Sequence, residues 1–309
     1  KLSMKKTVVI EFPSNLGLIE PSKGIEPGVK KLPAWLRHHG FYDLVKPQKI
    51  YSLEAPPYTM NVDEESSVRN ADSIGRYAVQ QANLLNQILE ENMFPVVIGG
   101  DCSILIGNSI ALRRAGNYGL FFLDGHTDFG WPELSKTAGA AGMDLAIVTG
   151  QGHPKLTNIF GLSPYIYEQN VWCVGNRDFN EVYVKVITNS AINYFDLNRL
   201  RQWGISRCCN DFLGLVARKK LDGFWIHFDV DVLDDELMPA VDSRETGGLS
   251  FEEVKEILGI LLDHEKAAGI EITILDPDLD TEGVYTKRFV AEMGEVLAMK
   301  NKNPEFKGN

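Results

Sequence analysis

Along this chain, short uninterrupted apolar runs alternate with longer stretches in which apolar positions recur every three or four residues. The runs are TVVIEF, FPVVIG, YGLFFLD, NVWCVG, INYFD, GFWIHFDVD and IEITIL. They are rich in β-branched and aromatic residues, which predicts strands buried on both faces. Between them, residues 66–91 place Val68, Ala71, Ile74, Ala78, Ala82, Leu85 and Leu89 on one helical face. A second helix is predicted over SFEEVKEILGILLDHEKAAG, opened by Ser250 with Glu253 three residues on. That pairing is a capping box, in which each residue satisfies the other's free backbone N–H. Continuous apolar strands joined by amphipathic helices imply an α/β fold, a mostly parallel sheet covered on both faces. No repeat, low-complexity tract or Pro/Gly-rich linker interrupts the 309 residues, so one domain is expected over 1–309. Residues 21–33 and 134–162 read as long loops, which in a compact domain often carry function.

Composition narrows the partners. The chain has 42 acidic against 31 basic residues, a net charge of −11, with 44% hydrophobic and 24% charged positions. Nucleic acid is disfavoured as a partner, because binding it needs a basic footprint. No apolar run approaches the roughly 18 residues of a membrane span. The opening KLSMKKTVVIEF lacks the apolar core of a signal peptide and enters a strand almost at once. Cys102, Cys173, Cys208 and Cys209 form neither a C-x-x-C pair nor a disulfide-like spacing. A reduced cytoplasmic setting follows, with a small-molecule substrate and a homo-oligomeric assembly expected.

In such a sheet, ligands bind beyond the carboxyl ends of the strands. There VVIGG delivers Asp101 and Cys102, and GLFFLDGHTDF delivers Asp124, His126 and Asp128. FWIHFDVDVLDDE delivers Asp229, Asp231 and Asp234, with Asp235 next. Residues two apart in extended chain face one side, so Asp124, His126 and Asp128 should converge, as should Asp229 and Asp231. Such groups at the rim of an apolar sheet repel one another without a counter-charge. Four carboxylates and an imidazole suit one divalent cation, or two that share carboxylates. Mixed oxygen and nitrogen ligation favours Mn²⁺, with Fe, Co, Ni and Zn as alternatives. Neither G-x-G-x-x-G nor G-x-x-x-x-G-K-[ST] occurs, which removes dinucleotide and P-loop functions.

As a set, GGD-x-S, D-x-H-x-D and F-D-V-D-x-x-D, in this order and spacing, resemble the ureohydrolase superfamily of arginases, agmatinases and formimidoylglutamases. The later GGLSFEE and DP-D-LD segments fit too, so the resemblance covers roughly residues 7–298. It implies a three-layer α/β/α fold and a binuclear Mn²⁺ site, where a hydroxide between the ions attacks a guanidinium or amidine carbon. It assigns Asp124 and Asp229 as bridging carboxylates, and His126 and Asp231 as the other ligands of one ion. Asp128 serves the second ion and has the catalytic role of orienting the hydroxide. The family's remaining ligand to that second ion is a histidine, where this chain has Cys102. Cys102 reads either as a thiolate ligand, since metals deprotonate thiols, or as a small buried residue beside a position that has lost its ion. A nucleophile is disfavoured, because no histidine in the sequence marks itself as its base.

Other departures concern substrate. The histidine of the family's N-x-H-G segment is Ala141 here, before Gly142, and alanine cannot shuttle protons. The asparagine two residues beyond the D-x-H-x-D motif is Gly130, and the glutamate of E-V-N-P is Ile274. Losing the buried anion of a cation pocket costs recognition, so ordinary arginase activity is not expected. Arg244 reads as an anion clamp or, more simply, as a salt bridge to Asp242 or Glu245. Glu245 and His153 are candidate replacements for the missing shuttle, and Trp131 and Phe129 candidate pocket walls. The sequence points first to a metal-dependent hydrolase of a non-peptide C–N bond in a guanidino, amidino or amide compound. The alternatives are a deacetylase-like amide hydrolase with one metal on Asp124, His126 and Asp231, and a degenerate non-catalytic subunit. Retention of the acid and imidazole ligands weighs against the last.

Overall fold

The computed structural model describes residues 5–300. The first four residues of the opening segment, and both ends of the domain expected over 1–309, lie outside the described residues. Strands β1 (Thr7–Glu11), β2 (Ile50–Ser52), β3 (Phe94–Ile98) and β4 (Tyr118–Leu123) come from the first part of the chain. Strands β5 (Val171–Val174), β6 (Asn193–Phe195), β7 (Gly223–Asp229) and β8 (Ala267–Thr273) follow. All pair in parallel, in the order β2-β1-β3-β8-β7-β4-β5-β6. Helices α1 (Leu32–His38), α2 (Phe41–Val45), α3 (Ala71–Glu90) and α4 (Ile104–Ala115) precede β4. Then come α5 (Asp144–Val148), α6 (Pro154–Thr157), α7 (Glu181–Thr188), α8 (Leu197–Trp203), α9 (Ile205–Arg218), α10 (Phe251–Leu262) and α11 (Val284–Met299).

The apolar runs are continuous because each strand feeds two cores. On β7, Phe224, Ile226 and Phe228 pack with α9, α10 and α11, while Trp225 joins α3, α4 and α5 on the other face. β4 divides likewise, with Phe121 and Leu123 on the first face and Leu120 and Phe122 on the second. The layers are therefore α/β/α, as the sequence pattern and the resemblance both imply.

Three boundaries differ from the sequence expectation. The helix over residues 66–91 begins only at Ala71, after Asn70 in a left-handed conformation (φ 55°), so Val68 is buried outside it. The helix opened by the Ser250–Glu253 capping box stops at Leu262, and Ala267–Gly269 belong to β8. Those small residues suit a strand beneath a large ring: a Cβ on Gly269 would lie 2.3 Å from the Trp225 indole. The expected loops at 21–33 and 134–162 contain short helical turns, α5 and α6 among them. β2 has no apolar run to mark it, since it is a short edge strand with exposed ends. The sheet order sets the carboxyl ends of β3, β8, β7 and β4 side by side at its centre.

Candidate metal centre

The outer half of the centre is built by backbone. Asp229 ends β7 and Asp231 lies in the 3₁₀ turn Val230–Val232, while Asp124 directly follows β4. The groups converge, but not by simple strand alternation, because both chains turn at the strand ends. Asp231 N donates to Asp229 Oδ1 at 2.8 Å, and His126 N donates to Asp124 Oδ1 at 2.7 Å. Gly125 N donates to Asp231 Oδ1 at 2.9 Å, and His126 Nδ1 lies 2.8 Å from Asp231 Oδ2. A Cβ on Gly125 would meet Arg177 Nη1 at 2.7 Å and Asp231 O at 2.8 Å, so only glycine fits this turn. Arg177 is a buried strap: it donates to the carbonyls of Asp231 (2.7 Å), Leu233 (3.3 Å) and Glu245 (2.8 Å). Ligand atoms of Asp124, His126 and Asp231 lie within 4.8 Å of one another.

The inner half is built by side chains from several elements. Cys102 Sγ donates to Asp229 Oδ2 at 3.1 Å and lies 3.2 Å from Thr273 Oγ1. His227, two residues before Asp229 on the same side of β7, places Nε2 3.2 Å from Asp124 Oδ2. Its Nδ1 faces Glu271 Oε2 on β8 at 2.9 Å, and its ring stacks on Phe122 of β4 at 4.4 Å. Asp128 adopts φ 45°, which turns its carboxyl toward Cys102 and Asp144, all three within 4.8 Å. Asp144 is fully buried at the start of α5, and neither carboxylate oxygen receives a hydrogen bond.

The electrostatics are those of crowded buried acids. Burial, then the neighbouring carboxylates, push Asp128, Asp144 and Asp229 well above the usual carboxyl range, and Asp124 upward as well. Asp231 goes the other way: burial opposes its charge, but the His126 imidazolium beside it outweighs burial. His126 and His227 are correspondingly raised against their own burial, His126 by Asp231 and His227 by Asp124 and Glu271. Burial and then Asp229 raise the Cys102 thiol, so it stays protonated unless a cation displaces the proton.

A cavity of about 880 Å³ opens above the cluster, with His126, Asp128, Asp229 and Asp231 at its floor. Gly130, Ala141 and Ile274 all lie on its wall, as do Trp131 and Phe129. Ile274 is buried at φ 83°, a left-handed backbone held by Ile274 N donating to Gly100 O at 2.8 Å. Asp178 and Glu245 also line the cavity, and their ligand atoms form a group with those of His126 within 4.8 Å.

Several sequence candidates fall elsewhere. Asp101 accepts from Gly17 N and Ser103 N and fastens a loop to the start of α4. Arg244 pairs with Asp235 at 2.8 Å, not with Asp242 or Glu245, because the turn brings Asp235 beneath its guanidinium. Asp234 caps its own turn through Glu236 N. His153 accepts from Lys155 N at the start of α6 and is not on the cavity wall, so it cannot replace the shuttle. His227, Asp144, Glu271, Asp178 and Arg177 are not among the residues expected from the sequence. His227 and Glu271 had a signal: each is an ionisable residue inside an otherwise apolar strand.

A model of the Arginase family matches residues 8–299. The chain belongs to the arginase family. An arginase of Brevibacillus brevis is 31% identical over 220 residues, 71% of this chain and 74% of that protein. The solved structure of arginase from Bacillus caldovelox has a TM-score of 0.84 at 26% identity, covering 95% of this chain and 98% of that one. Formimidoylglutamase of Bacillus subtilis, at 20% identity and a TM-score of 0.70, covers 96% of this chain and 87% of its own and shares the fold. The ureohydrolase resemblance and the α/β/α architecture therefore both hold.

Proposed function

We propose that this arginase-family chain is a metal-dependent hydrolase of the C–N bond in guanidino or amidino compounds, with L-arginine not its main substrate. One observation carries this: Asp124, His126, Asp128, Asp229 and Asp231 meet in or beside the floor of the cavity at the centre of the sheet. These residues fit divalent metal, because their crowded charges and the unpartnered Asp144 oxygens call for a cation among them. Mn²⁺, as one or two ions, is the first choice and other divalent metals the alternatives; when bound it activates water and polarises the substrate. Asp124 and Asp229 face both halves of the centre, His126 and Asp231 complete the outer half, and Asp128 and Cys102 belong to the inner one. The Asp128 carboxylate orients the attacking water through an acceptor oxygen.

The cavity supports a cationic substrate. Carboxylates outnumber Lys136 and Arg244 along its wall, and Arg244 is already paired. Gly130, Ala141 and Ile274 offer no polar contact where arginases grip the amino acid, shuttle a proton and hold the guanidinium. Glu245, beside His126, is the remaining candidate to move a proton at the cavity mouth. A second reading, an amide hydrolase with one metal, draws support from the self-contained group of Asp124, His126 and Asp231.

The same proposal takes the chain as a single domain and a homo-oligomer acting in the cytoplasm on a small molecule. Nucleic acid and membrane are not its partners. The free, buried cysteines support a reducing compartment, and among the described residues no helix is long and apolar enough to cross a membrane. The test is metal counting on purified protein, then urea and ammonia release across guanidino, amidino and amide compounds. Metal-dependent release from a guanidino or amidino compound supports the proposal. A kcat/KM with L-arginine of about 10⁴ M⁻¹s⁻¹ or more refutes its substrate clause.

A further inference from the structure

In this chain the second ion position lacks the histidine expected at residue 102, yet an imidazole reaches it from another strand. Period-two alternation sets Trp225, His227 and Asp229 on one side of β7, and register sets His227 between Phe122 of β4 and Glu271 of β8. Ligand atoms of Cys102, Asp124, His227 and Asp229 lie within 4.8 Å of one another, and all four residues are buried. Resting on the metal-centre reading above, we propose that these four residues form a thiolate–imidazole–carboxylate position for a second divalent ion. That ion is zinc or cobalt in preference to manganese, and its imidazole comes from the middle of β7 rather than from the turn after β3.

The hydrogen bonding around His227 is that of a ligand. Metal-binding histidines usually donate the far ring N–H to a carboxylate, which fixes the tautomer and leaves the other nitrogen's lone pair free. Glu271 takes that part, and it also accepts from Trp225 Nε1 at 2.7 Å and Asn108 Nδ2 at 3.1 Å. With its carboxylate so held, Glu271 directs Nδ1–H toward itself and Nε2 toward Asp124 and the cluster. The Phe122 stack, tilted by 12°, prevents the ring from swinging away.

A plain buried ion pair does not explain the neighbourhood. An imidazolium between Asp124 and Glu271 answers those two carboxylates and reaches Asp144, but leaves Asp128 and Asp229 crowded by like charges. Asp144 bears on the same sulfur: it is fully buried against Asp128, no N–H or hydroxyl donates to it, and its carboxylate lies within 4.8 Å of Cys102 and Asp128. The donor chemistry selects the ion. Thiolate is soft and suits zinc and its neighbours, whereas manganese prefers oxygen and imidazole. The Cys102 proton leaves as the ion binds.

The test uses the full chain, stripped with chelator and titrated separately with Mn²⁺, Zn²⁺ and Co²⁺. The expected result is about two equivalents of Zn²⁺ or Co²⁺ per chain but nearer one of Mn²⁺. The cobalt form should show a thiolate-to-cobalt charge-transfer band in the near ultraviolet, lost in Cys102→Ser. His227→Gln should keep the first equivalent and weaken the second by at least about 100-fold, and Glu271→Gln by roughly 10–100-fold. Two cobalt ions without that band, or unchanged second-site affinity in His227→Gln, overturn the inference. No more than one ion in wild type with both Zn²⁺ and Co²⁺ also overturns it and leaves the metal reading standing. No bound ion in wild type sinks both. If His227→Gln does not fold, the wild-type spectrum and stoichiometry decide alone.

Discussion

The two halves of the centre are made differently. The outer half, around His126 and Asp231, is set by main chain: one backbone N–H holds each carboxylate, and Arg177 ties down the carbonyls behind them. The inner half, around Cys102 and His227, is set by register between neighbouring strands and by one short helix. His126 keeps 18% of its side chain exposed toward the cavity, whereas His227 has none. The difference separates roles. On the proposed reading, the outer half meets substrate, and the buried Cys102–His227 side holds charge where a change of donor alters which ion fits.

The largest effect should come from the residue common to both halves. Asp124→Asn should lose both ions and reduce hydrolysis by at least about 10³-fold, the upper scale for removing one strong electrostatic stabiliser. Full metal content and activity in that variant would dissolve the comparison entirely. Next, His126→Ala should empty the outer half and cut turnover by roughly 10²-fold while keeping the inner cobalt–thiolate band. Simultaneous loss of that band would show that the halves do not bind independently. Arg177→Ala should act on outer loop geometry, since it frees three backbone carbonyls. Denaturant unfolding should show a loss of about 1–3 kcal/mol, with the inner ion retained. Smallest in energy but most specific, Cys102→His should raise Mn²⁺ from about one to about two ions per chain at unchanged stability, by metal counting after dialysis. No gain in Mn²⁺ would mean that sulfur is not what sets the inner ion's identity.

Legibility in the sequence follows the same division. The outer candidate ligands sit in contiguous motifs, D-x-H-x-D and D-x-D, because one turn of backbone both spaces and orients them. The proposed inner ligands are scattered over residues 102, 124, 227 and 229, and only sheet register unites them. The period-two rule counted backwards from Asp229 reaches His227. Asp144 gave only a lone acid in an apolar stretch. Arg177 gave nothing, since carbonyl partners have no sequence signature. The fold was more open. Strands buried on both faces announce themselves as apolar runs, whereas β2, three residues at an exposed edge, does not. The early end of α10 was hidden because Ala267–Gly269 continue a helical composition while packing as strand under Trp225.

The left-handed backbone at Ile274 bears on how freely this enzyme can drift. A β-branched residue at φ 83° carries strain on the order of 1–3 kcal/mol. Glycine there would relieve that strain but expose the wall that the side chain now fills, losing about 1.5–3 kcal/mol of apolar burial. The opposing amounts nearly cancel, so Ile274→Gly should change the unfolding free energy little, and a change above about 2 kcal/mol either way in denaturant unfolding would contradict this. A wall position whose replacements are close to neutral for stability can be sampled by mutation without endangering the fold. On the proposed reading, substrate preference can then change at residue 274 while the sheet and its acids stay fixed.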